Sequence, residues 1–125
     1  MNKFELKESD STPHIVLDLQ KQIFKIEGKS FPEDSREFYE STLEWFEHLK
    51  KQQPSTIPLH INLFYINSAS YISIKQILLK LVEIQDMGTA VSIIWQYDED
   101  DDDIKKTGED YARLTKLNFE FVINP

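Results

Sequence analysis

Apolar and polar residues alternate along five segments of the chain, and this spacing predicts β-strands. The first two segments, 15–19 and 24–26, are separated by a short polar turn. The other three segments are 59–66, 91–97 and 118–123. The pattern therefore predicts a sheet of about five strands.

Apolar residues at helical spacing predict three helices between these strands. The first helix begins near Asp34, which stands three residues before Glu37 as in a capping box. The second runs toward Gly88, a residue type that often ends helices. The third follows an acidic run at 98–103. The order β-β-α-β-α-β-α-β predicts a single α/β domain in which about three helices pack on a mixed sheet.

The first eleven residues show neither pattern. They are mostly polar, so residues 1–11 are predicted to be a flexible tail and residues 12–125 the folded domain. This N-terminal stretch has no apolar core of signal-peptide length. No apolar run approaches the roughly 20 residues that span a bilayer. A cytoplasmic protein that does not bind membranes is expected.

Composition excludes several classes of function. The chain has no cysteine, so disulfides, thiolate metal sites and a cysteine nucleophile are excluded. Acidic residues outnumber basic ones by 22 to 14, giving a net charge of −8. A surface of that charge repels phosphate backbones, and no basic face is visible, so no nucleic-acid partner is expected.

The junction between the third strand and the second helix carries small polar residues. Asn67, Ser68 and Ser70 follow the strand directly, and every one of them has a side chain that can cap a helix. Binding sites collect at the carboxyl ends of strands in open α/β sheets, and helix N-termini favour anions. The residues leave two interpretations open. Either a serine only caps the helix, or its hydroxyl is presented for phosphorylation.

The acidic run is the second candidate site. Read as a calcium loop, it places Asp103 where the sharp turn needs glycine, so the pattern does not fit an EF-hand. A solvated loop before a helix is the ordinary interpretation, and a docking surface for basic side chains is the functional one. The residues predicted to contribute to such a surface are Asp98, Asp100, Asp101 and Asp102.

Motifs of catalysis are absent from the sequence. His14, His48 and His60 are scattered without metal-ligand spacing, and the three glycines form neither a phosphate-binding loop nor a nucleophile elbow. No catalytic residue, metal ligand or cofactor is assigned. A small hydrolytic enzyme is kept only as an alternative to a binding protein.

Four segments together resemble the SiaC family of bacterial regulatory phosphoproteins. The segments are TPHIVLD (12–18), FKIEGKSFPEDSREFY (24–39), FYINSAS (64–70) and WQYDEDDDDIKKTGEDYARL (95–114). The resemblance implies a domain similar to the anti-sigma-factor antagonist (STAS-like) fold and a role in partner switching. In such a circuit a serine/threonine kinase phosphorylates the protein and a metal-dependent phosphatase reverses the modification. The unmodified form is implied to activate a diguanylate cyclase, raising cyclic di-GMP and promoting biofilm formation.

The resemblance also selects one acceptor. The family's phosphorylated threonine lies in a Y-F-N-T-S-S segment, which here reads Tyr65 to Ser70, so the matching residue is Ser68. In this chain Ile66 replaces an aromatic residue and Ala69 replaces a hydroxyl. The prediction is a non-catalytic switch phosphorylated at Ser68, with Tyr65, Asn67 and Ser70 contributing to the partner surface beside the acidic run. A constitutive interaction scaffold is the competing interpretation.

Overall fold

The fold is described from a computed structural model that covers residues 1–125. Its six strands and three helices follow the chain in an order that adds one strand to the predicted layout. The elements are β1 (Phe4–Leu6), β2 (His14–Asp18), β3 (Ile23–Ser30), α1 (Ser35–Gln52), β4 (Thr56–Ile66), α2 (Ser68–Asp86), β5 (Ala90–Tyr97), α3 (Asp102–Thr115) and β6 (Asn118–Ile123). None of the helices is both long enough and apolar enough to cross a membrane.

The sheet keeps its strands in sequence order, β1-β2-β3-β4-β5-β6. β1, β2 and β3 pair antiparallel, whereas β3 through β6 are parallel. Each parallel pair is joined by one helix, as the alternation of strands and helices predicted. The α/β class and the mixed sheet are confirmed, with six strands instead of five. The likeness to STAS domains stays a prediction.

One side of the sheet and the inner faces of the helices form the core. Along β4 the residues Ile57, Leu59, Ile61 and Leu63 are buried, and the residues between them are exposed or half-buried. β5 alternates in the same way. Three crossovers of the same hand, each moving one strand in the same direction, place all three helices on one side. The strand ends that follow β3, β4 and β5 therefore meet at one end of the sheet.

The prediction that residues 1–11 form a flexible tail is wrong for Phe4–Leu6, which form β1. Phe4 and Leu6 pair in register with Leu17 and Ile15 of β2, and the Trp45 indole donates a hydrogen bond to the Asn2 carbonyl at 3.2 Å. The predicted boundary at residue 12 thus falls inside the hairpin of β1 and β2. Three residues are too few for alternation to be recognised in a sequence, so tertiary pairing decides this strand.

Charged residues tie α1 to α2 on the outer surface. Lys80 lies 2.6 Å from Glu47 and 3.2 Å from Glu83, and Lys50 lies 3.0 Å from Glu83. Hydrogen bonds from the two lysines lower the pKa of Glu47 and of Glu83, and the bond to Glu47 raises the pKa of Lys80. The cluster joins two helices that run side by side from the same end of the sheet.

We expect this cluster to make the stability depend on pH. The lowered carboxyl pKa values add stability above the ordinary value of 4.5, and that stability is lost as pH falls through the lowered values. The raised pKa of Lys80 adds stability below its ordinary 10.5 that is lost on alkalinisation. Lys80→Met should lower the melting temperature at pH 7, and its difference from the parent should vanish at a pH below the lowered carboxyl pKa values. Lys75→Met on the same helix is the control. An equal effect of Lys80→Met at both pH values would contradict the prediction.

Candidate functional site

The carboxyl end of β4 passes directly into α2, and Asn67 makes the transition. Asn67 is extended, with φ −79° and ψ 172°, and its side chain accepts a hydrogen bond from the Ser70 N–H at 2.8 Å. Its own N–H donates to the Ser30 carbonyl at the end of β3 at 3.0 Å. Asn67 is therefore the N-cap, and neither serine of the segment is needed for capping.

Ser68 is the first residue of α2 and is exposed. Its hydroxyl makes no hydrogen bond within the protein, whereas the Asn67 oxygen and the Ser70 N–H are already paired. The N–H groups of Ser68 and Ala69 point out of the first turn without intrahelical partners, as at every helix N-terminus. A negative group attached to Ser68 would meet these donors and the positive end of the helix dipole.

Capping by Asn67 leads to a direct prediction about stability. Asn67→Ala should reduce the free energy of unfolding by about 1 kcal/mol because the Ser70 N–H loses its acceptor. Ser68→Ala should change it by less than about 0.5 kcal/mol because no hydrogen bond is lost. Urea denaturation of both variants measures the difference. The reverse order of effects would show that Ser68, and not Asn67, caps the helix.

The prediction that Ser70 contributes to a partner surface is wrong. Ser70 is fully buried, and its hydroxyl accepts a hydrogen bond from the Ser30 hydroxyl at 2.7 Å. The cause is helical geometry, since Ser70 lies four residues before the buried Ile74 and therefore on the inner face of α2. Ser68, two residues earlier, faces outward.

Exposed apolar side chains surround Ser68. Tyr65 is 52% exposed, and its ring contacts that of Phe31 edge to face with centroids 5.6 Å apart. Ile72, one turn beyond Ser68 on α2, is 57% exposed. We call Phe31, Tyr65, Ser68, Ala69 and Ile72 the Ser68 surface. Phe31 and Ile72 had not been predicted, although an isoleucine outside the buried stripe of a helix is a recognisable signal.

A groove between α1 and α2 continues from this surface. Its volume is about 1050 Å³. Ala69 and Ile72 line it from α2, and Glu33 and Glu37 line it from the start of α1. The lining is mixed, because Arg36 and Phe38 also belong to the α1 side and Ser73 and Gln76 to the α2 side.

The acidic run lies at the same end of the sheet, after β5. Asp98 and Asp100 are exposed, and Asp98 accepts a hydrogen bond from the Asn124 amide at 3.0 Å. Asp101 caps α3 by accepting from the Ile104 N–H at 3.0 Å, and Asp102 is the first residue of that helix. No group of three or more histidine or acidic side chains is arranged to hold a metal ion. Three of the four predicted aspartates are thus available to a partner, while Asp101 is occupied as a cap.

The chain matches a known family over most of its length. Residues 6–124 match the SiaC family, described as regulatory phosphoproteins. The chain belongs to the SiaC family. The predicted resemblance is therefore confirmed, and the matched range runs from the last residue of β1 to the end of β6.

Similar proteins support this assignment. An uncharacterised protein of Pseudomonas aeruginosa (strain UCBPP-PA14) is 28% identical over 123 residues, which are 98% of this chain and 96% of that protein. The crystal structure of apo-SiaC from Pseudomonas aeruginosa has a TM-score of 0.89 at 27% identity, covering 98% of this chain and 99% of that one. In a third case SiaC of the same species is in complex with the diguanylate cyclase SiaD, of which it is the activator. There the TM-score is 0.89 at 26% identity, with 97% and 99% coverage.

Proposed function

We propose that this SiaC-family protein is a non-catalytic cytoplasmic switch controlled by reversible phosphorylation of Ser68. A serine/threonine kinase adds the phosphate, and a metal-dependent serine/threonine phosphatase removes it. The unmodified form binds and activates a diguanylate cyclase, promoting cyclic di-GMP synthesis and biofilm formation. The observation that carries the proposal is the Ser68 hydroxyl, which is exposed and unbonded at the N-terminus of α2 at the position matching the family's acceptor.

The location of Ser68 favours a switch over a constitutive scaffold. Because Asn67 already caps α2, the hydroxyl of Ser68 is not required for the fold. A phosphate there brings between −1.5 and −2 charges into a surface of exposed apolar residues. The modified domain remains folded because the helix N-terminus stabilises an anion. A partner seated on Phe31, Tyr65 and Ile72 would have to bury that charge, which strongly opposes binding.

The acidic residues near this end of the sheet give it negative charge, which can attract basic side chains of a partner. We propose that Asp98, Asp100 and Asp102 attract basic side chains of the cyclase, with Asp101 contributing through its position in the loop. Exposed charges of this kind mainly raise the association rate and set orientation. Their effect should therefore weaken as salt is added. The phosphate would act at the Ser68 surface, where apolar contacts hold the complex.

Mapping the modified residue tests the proposal. The protein is incubated with its cognate kinase and Mg-ATP, and the phosphorylated residue is identified by mass spectrometry. We expect one phosphate on Ser68 and none on the Ser68→Ala variant. Ser55→Ala, which removes an exposed serine at the opposite end of β4, is the control and should be phosphorylated like the parent. Phosphate on another residue, with Ser68→Ala still modified, would refute the assignment.

A further inference from the structure

Two serines lie close together in the acceptor segment, Tyr65 to Ser70, and they differ in their exposure to solvent. Ser68 is exposed, whereas Ser70 has no exposed surface. A kinase that reads an extended peptide would find both hydroxyls within reach. The selection of one serine must therefore come from the fold around the segment.

Three buried hydroxyl groups form a chain that ends on Ser70. The Ser30 hydroxyl donates to the Ser70 hydroxyl at 2.7 Å and lies 2.6 Å from the Tyr39 hydroxyl. Because Ser30 has a single proton, which is given to Ser70, Tyr39 must be the donor to Ser30. Burial raises the pKa of Tyr39 to about 12, so its proton is retained at physiological pH. All three residues are at most 1% exposed.

The chain joins the three elements that meet beneath Ser68. Ser30 ends β3, Tyr39 lies in the second turn of α1, and Ser70 lies in the first turn of α2. The backbone adds another link, since the Ser30 carbonyl accepts from the Asn67 N–H. Buried hydroxyls of this kind add little net stability relative to apolar groups of the same shape, but they fix one geometry.

We propose that Tyr39 and Ser30 are positioning residues that hold Ser70 inside the fold, so that Ser68 alone is presented as a phosphate acceptor. We call these three residues the hydroxyl clamp. The inference rests on the proposed function, because it concerns which serine the kinase reaches. Its structural part does not depend on any kinase.

Hydrogen exchange of the full chain tests the structural part. In Ser30→Ala the amide protons of Ser70 and Tyr71 should exchange at least tenfold faster, while those of β5 are unchanged. Tyr39→Phe should give a smaller increase because the bond from Ser30 to Ser70 remains. Thr42→Val is the control, since Thr42 is fully buried on α1 and its hydroxyl has no hydrogen-bond partner. Unchanged exchange at Ser70, or equal acceleration throughout the sheet, would overturn the clamp.

Phosphorylation in the absence of Ser68 tests the selection of the acceptor. With the cognate kinase, Ser68→Ala should carry no phosphate on Ser70, whereas Ser68→Ala combined with Ser30→Ala should be phosphorylated at Ser70 at least fivefold above background. An unmodified Ser70 in the double variant would overturn the inference. If Ser68 of the parent protein takes no phosphate, the proposed function fails instead, and the exchange experiment still decides whether the clamp exists.

Discussion

Ser68→Asp is expected to weaken binding of the proposed diguanylate cyclase partner by a factor of about 100 or more, which corresponds to ~3 kcal/mol. The aspartate places a charge among the exposed apolar side chains of Tyr65 and Ile72, and the partner must desolvate that charge to bind. Isothermal titration calorimetry with the purified cyclase measures the change. Ser68→Ala should bind like the parent because it introduces no charge.

Ser68→Asp should weaken binding of the cyclase without lowering the stability of the domain. A carboxylate in the first turn of α2 interacts favourably with the helix dipole, so Ser68→Asp should keep or raise the free energy of unfolding by about 0.5 kcal/mol. A loss of binding caused by misfolding would instead appear as a lower unfolding free energy. Ser55→Asp adds the same charge at the opposite end of β4 and should leave binding unchanged. Parent-like binding by Ser68→Asp would show that the cyclase does not seat on this surface.

Much of the fold could be predicted because local and tertiary preferences agree. β4 alternates buried apolar residues with less buried ones as far as Leu63, β5 alternates in burial along its length, and α2 has a continuous apolar stripe. The crossover rule then predicts the hand of each strand–helix–strand connection, whereas the strand order is seen only in the structure. β1 could not be predicted in this way, because its three residues gain their stability only from pairing with β2.

The sequence was enough to predict which segments form the candidate site. It was not enough to predict the role of every residue within them. Asn67, Ser68 and Ser70 are equally good capping types, and only the backbone conformation shows that Asn67 takes that role. The burial of Ser70 could have been predicted, since it continues the apolar stripe that contains Ile74. The choice of Asp101 as the cap of α3 could not, because neighbouring aspartates offer the same chemistry.

The packing of α3 on the sheet depends on a close contact between Trp95 and Gly108 that the sequence does not reveal. The indole of Trp95 lies against the backbone of Gly108, and its N–H donates to the Ile104 carbonyl at 3.0 Å. A Cβ atom on Gly108 would stand 2.5 Å from the indole nitrogen. Both residues belong to the segment that resembles the SiaC family, and their contact gives a physical reason for a tryptophan and a glycine in that segment.

Gly108→Ala is accordingly expected to destabilise the protein by about 2–4 kcal/mol. In an ordinary helix the same substitution adds up to about 1 kcal/mol of stability, so the sign itself tests the contact. Here the added methyl group must displace a fully buried tryptophan and weaken its hydrogen bond to Ile104. The matched control is Glu109→Ala at the next, exposed position, which should change stability by less than about 0.5 kcal/mol. Urea denaturation measures both.

The destabilised variant also separates the proposed role of α3 in docking from the proposed role of α2 in phosphorylation. Gly108 packs on Trp95 of β5, and Asp101 caps the same helix, so a displaced helix would move the aspartates that we propose attract the cyclase. Ser68 stands on α2, which contacts α3 through Tyr71 and Tyr111 but has its own N-cap in Asn67, so the acceptor should keep its position. Gly108→Ala should therefore slow association with the cyclase at low salt, while the kinase still modifies Ser68 at the parent rate. A stabilised Gly108→Ala protein would show that the indole has room to move, and that α3 is held by its other contacts.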